Sequence, residues 1–297
     1  MAIPESQLQT WSKQGSITQS ASTYSTIKRA LEANSVPYAS REYDSFLQGS
    51  YGNSTNIYAD SDVDVVMRLK SIFYYDLDRL AESDRDLFRK AYPGAPYTLP
   101  QFKTEVSGVL QKNFGKAVKP GKKAIFIPAD GNRRDADVLP TAMFRRYNRF
   151  GSFATASYVE GICFFLDDGT QIVNFPKQHS ENCTKKHQDT NQWFKPTVRL
   201  FKNLRNRMID DGLIEAGLAP SYFIEGLLYN VPNDKFGGNF EDTVVNLLNW
   251  LVPADKTKFL CANEQYYLLF EGSAVTWRAA SCKRFLDAAV DLWKSWK

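Results

Sequence analysis

No run of ~18 uninterrupted apolar residues occurs in the 297-residue chain, which excludes a membrane-spanning helix of the usual length. The first residues, MAIPESQLQTWSKQGS, lack a basic stretch followed by an apolar one. A secretory leader is therefore not expected, and the compartment inferred is the cytoplasm. Cysteines are few. Cys163, Cys183, Cys261 and Cys282 stand far apart, a spacing that excludes a dense disulfide framework and reads as reduced thiols. Internal repeats and low-complexity linkers are missing too. Neither sign of charge is in excess: 37 Lys and Arg against 33 Asp and Glu leave +4, too mild to single out a polyanionic partner.

What the chain has in quantity is aromatic residues, with 20 Phe, 15 Tyr and 6 Trp, and 43% hydrophobic residues overall. That suffices for a sizeable core in one large domain or two closely packed ones. Ile17, Tyr24, Ile27 and Leu31 recur at helical spacing within residues 16–34. DSFLQ predicts a short strand that breaks into turns at Gly49-Ser50 and Gly52-Asn53, and SDVDVVMRL (61–69) a β-branched strand. Helices are expected over 76–91 and 100–114, strands in KKAIFIP and RDADVLPTAMFRRY, and a hairpin in GICFFLDDGTQIVNFP turning at Asp168-Gly169. Beyond residue 189 the periodicity is helical in FKPTVRLFKNLRNRMI, SYFIEGLLYNV, FEDTVVNLLNWLV and RAASCKRFLDAAVDLWKSW. The first half thus reads as α+β and the second as mostly α, with a seam near residues 175–190.

The chemistry concentrates around Gly49, Ser50, Asp62 and Asp64. Residues two apart in a strand share a face, so the two carboxylates project together and repel unless a cation neutralises them. Mg²⁺ suits such hard oxygens and binds one or two carboxylates with substrate phosphates. Gly49 permits a tight turn, and Ser50 offers a hydroxyl and an N–H to a phosphate. A third carboxylate is needed for a second ion, the pair clamping the attacking and leaving oxygens of an in-line displacement. Asp137 in RRDADVLP is the candidate, and Asp135, on the same strand face, its competitor. Taken singly, a D-x-D pair in a strand is most often a surface face. The conjunction of glycine turn, short gap, D-x-D and a later acidic strand is what points to chemistry.

With those residues in place, the chain resembles the polymerase-β-type nucleotidyltransferases. The resemblance lies in Leu47-Gln48-Gly49-Ser50-Tyr51-Gly52-Asn53, in Ser61-Asp62-Val63-Asp64 and in Asp135-Ala136-Asp137-Val138-Leu139-Pro140. More narrowly it resembles the bacterial cGAS/DncV-like nucleotidyltransferases (CD-NTases), relatives of cyclic GMP–AMP synthase and oligoadenylate synthase. That narrowing rests on Phe194-Lys195, Val198-Arg199-Leu200-Phe201-Lys202-Asn203, Ala219-Pro220-Ser221-Tyr222-Phe223-Ile224-Glu225, Phe270-Glu271-Gly272 and Trp277. The resemblance spans roughly residues 20–290. It implies a polymerase-β-like nucleotidyltransferase lobe (1–180, with an N-terminal bracing helix), a mixed sheet with flanking helices, packed on a C-terminal helical lobe (181–297), with the active site in the cleft.

Carried over by position, the resemblance assigns Gln48, Gly49 and Ser50 to the donor triphosphate. Asp62 and Asp64 become ligands of two Mg²⁺ ions (Mn²⁺ as a substitute), and Asp137 a ligand of the one that activates the acceptor hydroxyl. Lys202 and Ser221 contact the β- and γ-phosphates, and Tyr222 stacks on a base. The implied product is a cyclic di- or trinucleotide made from nucleoside triphosphates, which activates an effector protein in bacterial anti-phage signalling. The enzyme is expected to be a monomer without a membrane partner, and it shows no strong sign of DNA binding, since the zinc ribbon of the animal synthase is not visible. A linear oligonucleotide-synthesising or RNA-tailing transferase, and a toxin-like transferase acting on protein or tRNA, are the alternatives. Asn182, in a segment expected to be a loop leading into the Lys202 helix, is a candidate base contact, since an amide pairs with either class of base. His179, Cys183 and His187 recur every four residues, but without a nearby fourth ligand they fall short of a structural zinc site.

Overall fold

The strand expected over residues 61–69 runs on to Asp76, because Phe73, Tyr74 and Tyr75 extend its β-favouring character past Leu69. The computed structural model of the chain describes residues 2–58, 62–92, 94 and 96–296, so Ser61 of the expected strand lies outside the described residues. In chain order the elements are α1 (Glu5–Ser12), α2 (Thr18–Leu31), β1 (Tyr43–Leu47), α3 (Gly49–Gly52), β2 (Val63–Asp76), α4 (Glu82–Ala91), α5 (Leu99–Phe114), β3 (Lys119–Pro120), β4 (Ile125–Ile127), β5 (Ala136–Arg149), β6 (Ser157–Phe165), β7 (Gln171–Asn174), α6 (Pro176–Asp189), α7 (Phe194–Asp210), α8 (Ser221–Tyr229), α9 (Phe240–Leu251) and α10 (Ala279–Ser295). They fall into two units: residues 18–48 with 61–175, and residues 1–17 with 49–60 and 176–297.

The first unit is built on a mixed sheet. β2 runs parallel to β5, and β1 pairs antiparallel along the other edge of β2. β4 pairs with the start of β5 and β6 with its end, while β3 and β7 extend the sheet beyond them. Val63, Val65, Val66, Met67 and Leu69 are all buried, as a central strand covered on both faces requires. α2 and α5 pack on this sheet. The start of α5 is fixed by a capping box: Thr98 Oγ1 accepts from the Gln101 N–H, and the Gln101 side chain accepts from the Thr98 N–H. The helix expected from residue 76 begins only at Glu82, after the aromatic end of β2 has joined Phe88, Tyr147 and Phe150 in a ring cluster.

The second unit is helical around α7, whose Val198, Leu200, Phe201, Leu204 and Met208 are buried at helical spacing. α8, α9 and α10 close on it, and Ile3 and Leu8 of the N-terminal segment enter the same core. This explains why the division differs from the expected 180/181: it falls after Phe175, and residues 1–17 and 49–60 go with the helices. Residues 176–189, expected as a loop, are α6, with Pro176 at its first position. Its buried residues are His179 and Cys183, one turn apart, so no apolar period betrays the helix. No helix among the described residues is long and apolar enough to cross a membrane. All four cysteines are free and buried.

Candidate active site

The parallel register of β2 on β5 sets Val63 beside Ala136 and Asp64 beside Asp137. Paired residues in register share a face of the sheet. Val63 and Ala136 are fully buried on one side, which leaves the half-buried Asp64 and Asp137 together on the other. Asp62 precedes the strand by one residue and is exposed. The Val63 N–H donates to the Asp135 carbonyl at 3.0 Å and the Gln48 N–H to the Asp64 carbonyl at 3.0 Å, so Gln48 is tied to β2. Asp137 is held above the ordinary carboxylate range by burial first, then by the charges of Asp62 and Asp135. Its competitor is occupied elsewhere, since Asp135 Oδ1 accepts from the Ala129 N–H at 2.6 Å. A set of crowded, partly dehydrated carboxylate oxygens is a donor set that a hard divalent cation fits.

In the helical unit, Gly49 opens α3 with φ +63°, a conformation that a side chain would strain. The Asn53 N–H closes on the Gly49 carbonyl (3.1 Å) and the Thr55 N–H on the Ser50 carbonyl (2.9 Å). Lys202 is fully buried, and its Nζ donates to the Thr55 carbonyl at 2.9 Å. The structure thus brings it to the segment that follows Ser50. Arg199 joins it, donating to the Ser54 carbonyl at 2.7 Å. Ser221 is the first residue of α8, and its hydroxyl receives Arg205 Nη1 at 3.1 Å. Tyr222 stacks on His179 with ring centroids 4.9 Å apart, and its hydroxyl accepts from Asn263 at 2.9 Å. Asn182 is on α6, a correction to its expected place in an overhanging loop, and donates to the Ala262 carbonyl at 2.8 Å. Asn182 and Tyr222 are therefore anchored to adjacent residues of one segment.

Glu225 was not singled out from the sequence, and it is the polar centre of this unit. Its carboxylate accepts from Thr55 Oγ1 (2.5 Å), Asn53 Nδ2 (3.0 Å) and His179 Nε2 (2.5 Å). The available signal was its isolation, as the one charged residue in SYFIEGLLY. Burial opposes its ionisation, but His179, Lys202 and Thr55 hold it below the usual range. Burial likewise opposes the His179 charge, yet Cys183 and Glu225 push that imidazole up to about 10. Ligand atoms of His179, Cys183 and Glu225 lie within 4.8 Å of one another. Glu225 already accepts from three donors, however, and the group is a hydrogen-bond hub. His187 takes no part: its Nδ1 accepts from the Lys195 N–H at 3.3 Å.

Residues 181–294 match the family described as the cGAS/DncV-like nucleotidyltransferase C-terminal helical domain. The whole chain is 41% identical to the cyclic UMP-AMP synthase of Rhodothermus marinus (strain SG0.5JP17-172), covering 99% of that protein. It is 35% identical to the cyclic nucleotide synthase CdnE01 of Staphylococcus haemolyticus over the full length of both. Its fold resembles that of the Rhodothermus marinus CdnE c-UMP-AMP synthase solved with Apcpp and Upnpp. The TM-score is 0.88, with 39% identity over 99% of this chain and 97% of that one.

Proposed function

The chain belongs to the cGAS/DncV-like nucleotidyltransferases, and from that premise we propose that it joins nucleoside triphosphates into a cyclic di- or trinucleotide, using Mg²⁺. The observation that carries the reading is the register that stands Asp64 beside Asp137 on one sheet face. Asp62, Asp64 and Asp137 hold the ions, for which Mn²⁺ is a substitute. Bound there, Mg²⁺ neutralises charge developing on the attacked phosphate and favours the alkoxide form of the attacking hydroxyl. The hydroxyl of one nucleotide attacks the α-phosphorus of another. The new O–P bond forms as the α–β phosphoanhydride breaks, and pyrophosphate leaves. A second attack, within the linear dinucleotide, closes a dinucleotide ring; where a third nucleotide is joined first, the closing attack gives a trinucleotide ring, with one pyrophosphate released at each step.

The remaining residues bind and orient. Gln48 takes the triphosphate through its side-chain amide, its own N–H being spent on the Asp64 carbonyl, and Gly49 and Ser50 do so through backbone N–H groups and the serine hydroxyl. Ser221 adds the start of α8, and Lys202 acts on the phosphates through the segment it anchors. Tyr222, backed by His179, is the base platform, and Asn182 on α6 discriminates among bases. The product serves as a messenger for an effector in anti-phage defence. Incubating the protein with labelled triphosphates and Mg²⁺, then phosphatase, then mass spectrometry, tests the reading. A phosphatase-resistant cyclic product is expected, and label on a linear chain or a macromolecule would sink it.

A further inference from the structure

We propose that Glu225 is a positioning residue that fixes the Gly49 and Ser50 turn and the Tyr222 ring in one arrangement, an inference that rests on the reading above. α3 is one helical turn, too short to hold its shape alone, and residues 53–58 belong to no helix or strand. The polar groups just after the turn are nonetheless held. Asn53 and Thr55 donate to Glu225, the Ser54 carbonyl receives Arg199, and the Thr55 carbonyl receives Lys202. Ser54 itself is held at φ 57°, a conformation costly for a residue with a side chain unless its surroundings impose it. The turn is therefore shaped by its anchors, and Glu225 is the anchor that takes two of its side chains.

The second arm runs through His179. Glu225 is 3% exposed and His179 is 3% exposed, so neither finds water as a substitute partner. His179 donates to Glu225 and stacks on Tyr222, which stands one turn before Glu225 on α8. One carboxylate thereby orients the backbone offered to phosphate and the ring offered to a base. A neutral amide weakens the arrangement, because it removes the charge and leaves one acceptor oxygen where three donors meet two.

The test compares Thr55→Val, which removes one donor while keeping the shape, with Thr55→Ser, which retains the hydroxyl, and with Glu225→Gln. Leu247→Ala in the core of α9 serves as a destabilised control. KM and kcat are measured for each triphosphate the enzyme consumes, with thermal midpoints for all variants. Thr55→Val is expected to raise KM by about 10–100-fold, the range for losing a hydrogen bond to a charged group, with kcat within about threefold. Glu225→Gln raises it further, Thr55→Ser restores it, and Leu247→Ala leaves it unchanged. An unaltered KM in Thr55→Val, or an equal rise in Leu247→Ala, overturns the inference. If the wild type makes no product, the synthase reading falls and equilibrium binding of a fluorescent non-hydrolysable ATP analogue decides the positioning role. Weaker binding in Thr55→Val alone supports it; equal binding, or none by the wild type, overturns it.

Discussion

Asp137 is crowded by the charges of Asp62 and Asp135 and half removed from water, and both conditions disfavour its ionised form. On the proposed reading, this crowding is the stability cost of a cation site. Asp137→Asn should therefore raise the thermal midpoint measured without divalent ions. It should also lower product formation at least ~10³-fold, the order for removing a principal charge stabiliser of a transition state. Asp62→Asn and Asp64→Asn should match it in activity. Mg²⁺ should raise the wild-type midpoint and leave that of Asp137→Asn nearly unmoved. Retained activity in these variants would remove the metal assignment. Lys202 poses the opposite case, a buried charge whose hydrogen bond holds the Thr55 carbonyl. Lys202→Met strips that acceptor of its partner, which costs about 1–3 kcal/mol in a urea titration and also raises KM for triphosphate. Wild-type stability in Lys202→Met would show that the contact contributes nothing.

Among the elements, β6 offers a prediction free of catalytic consequences. Gly161 pairs with Phe144 on β5, and a Cβ there would meet the Asn174 carbonyl oxygen at 2.6 Å and the Phe175 ring at 2.9 Å. Backbone cannot step aside as a flexible side chain does, so Gly161→Ala should cost about 1–3 kcal/mol by overpacking. Since Phe144 lies seven residues along β5 from Asp137, kcat per folded molecule should stay at the wild-type value. A full-strength fold in Gly161→Ala, read from its urea midpoint, would contradict the packing. The elements also show where sequence pattern sufficed. β2 and α7 were legible because Val63, Val65 and Met67, or Val198, Phe201 and Leu204, repeat at strand or helix period. The partnership of Asp64 with a later strand was legible as chemistry, although the parallel register that sets it against Asp137 was not. α6 was hidden because only His179 and Cys183 of its residues are buried, and one histidine and one cysteine a turn apart make no apolar period. Glu225 escaped for a related reason: its donors Asn53 and Thr55 lie more than 160 residues earlier, beyond the reach of any local spacing.

At the scale of the whole molecule, the two histidines should shape how stability depends on pH, in opposite senses. His187 is pushed down to about 4, by burial first and then by Lys195 and Arg199. Its Nδ1 accepts the Lys195 N–H at 3.3 Å, which requires the neutral ring. Between about 4 and the ordinary histidine value near 6.5 the unfolded chain binds the extra proton, so stability rises with pH across that window. His179, pushed up to about 10 by Cys183 and Glu225 against the pull of burial, does the reverse. Its contribution is complete below about 6.5 and declines as pH rises towards 10, because there the folded chain holds the extra proton. Glu225, held below its ordinary range, adds a loss at still lower pH, beneath about 4.5. Lys186, pushed down to about 8 by burial, counteracts the alkaline decline only above that value. Stability should therefore peak near pH 6.5 and fall on both sides between pH 4.5 and 8. Urea unfolding across that range checks it, with two variants chosen to keep each hydrogen bond while abolishing the titration. His187→Asn, whose amide oxygen replaces Nδ1, should flatten the acid side alone. His179→Gln, whose amide nitrogen replaces Nε2, should flatten the alkaline side alone. If both sides keep their wild-type slopes in the two variants, these histidines do not govern the profile.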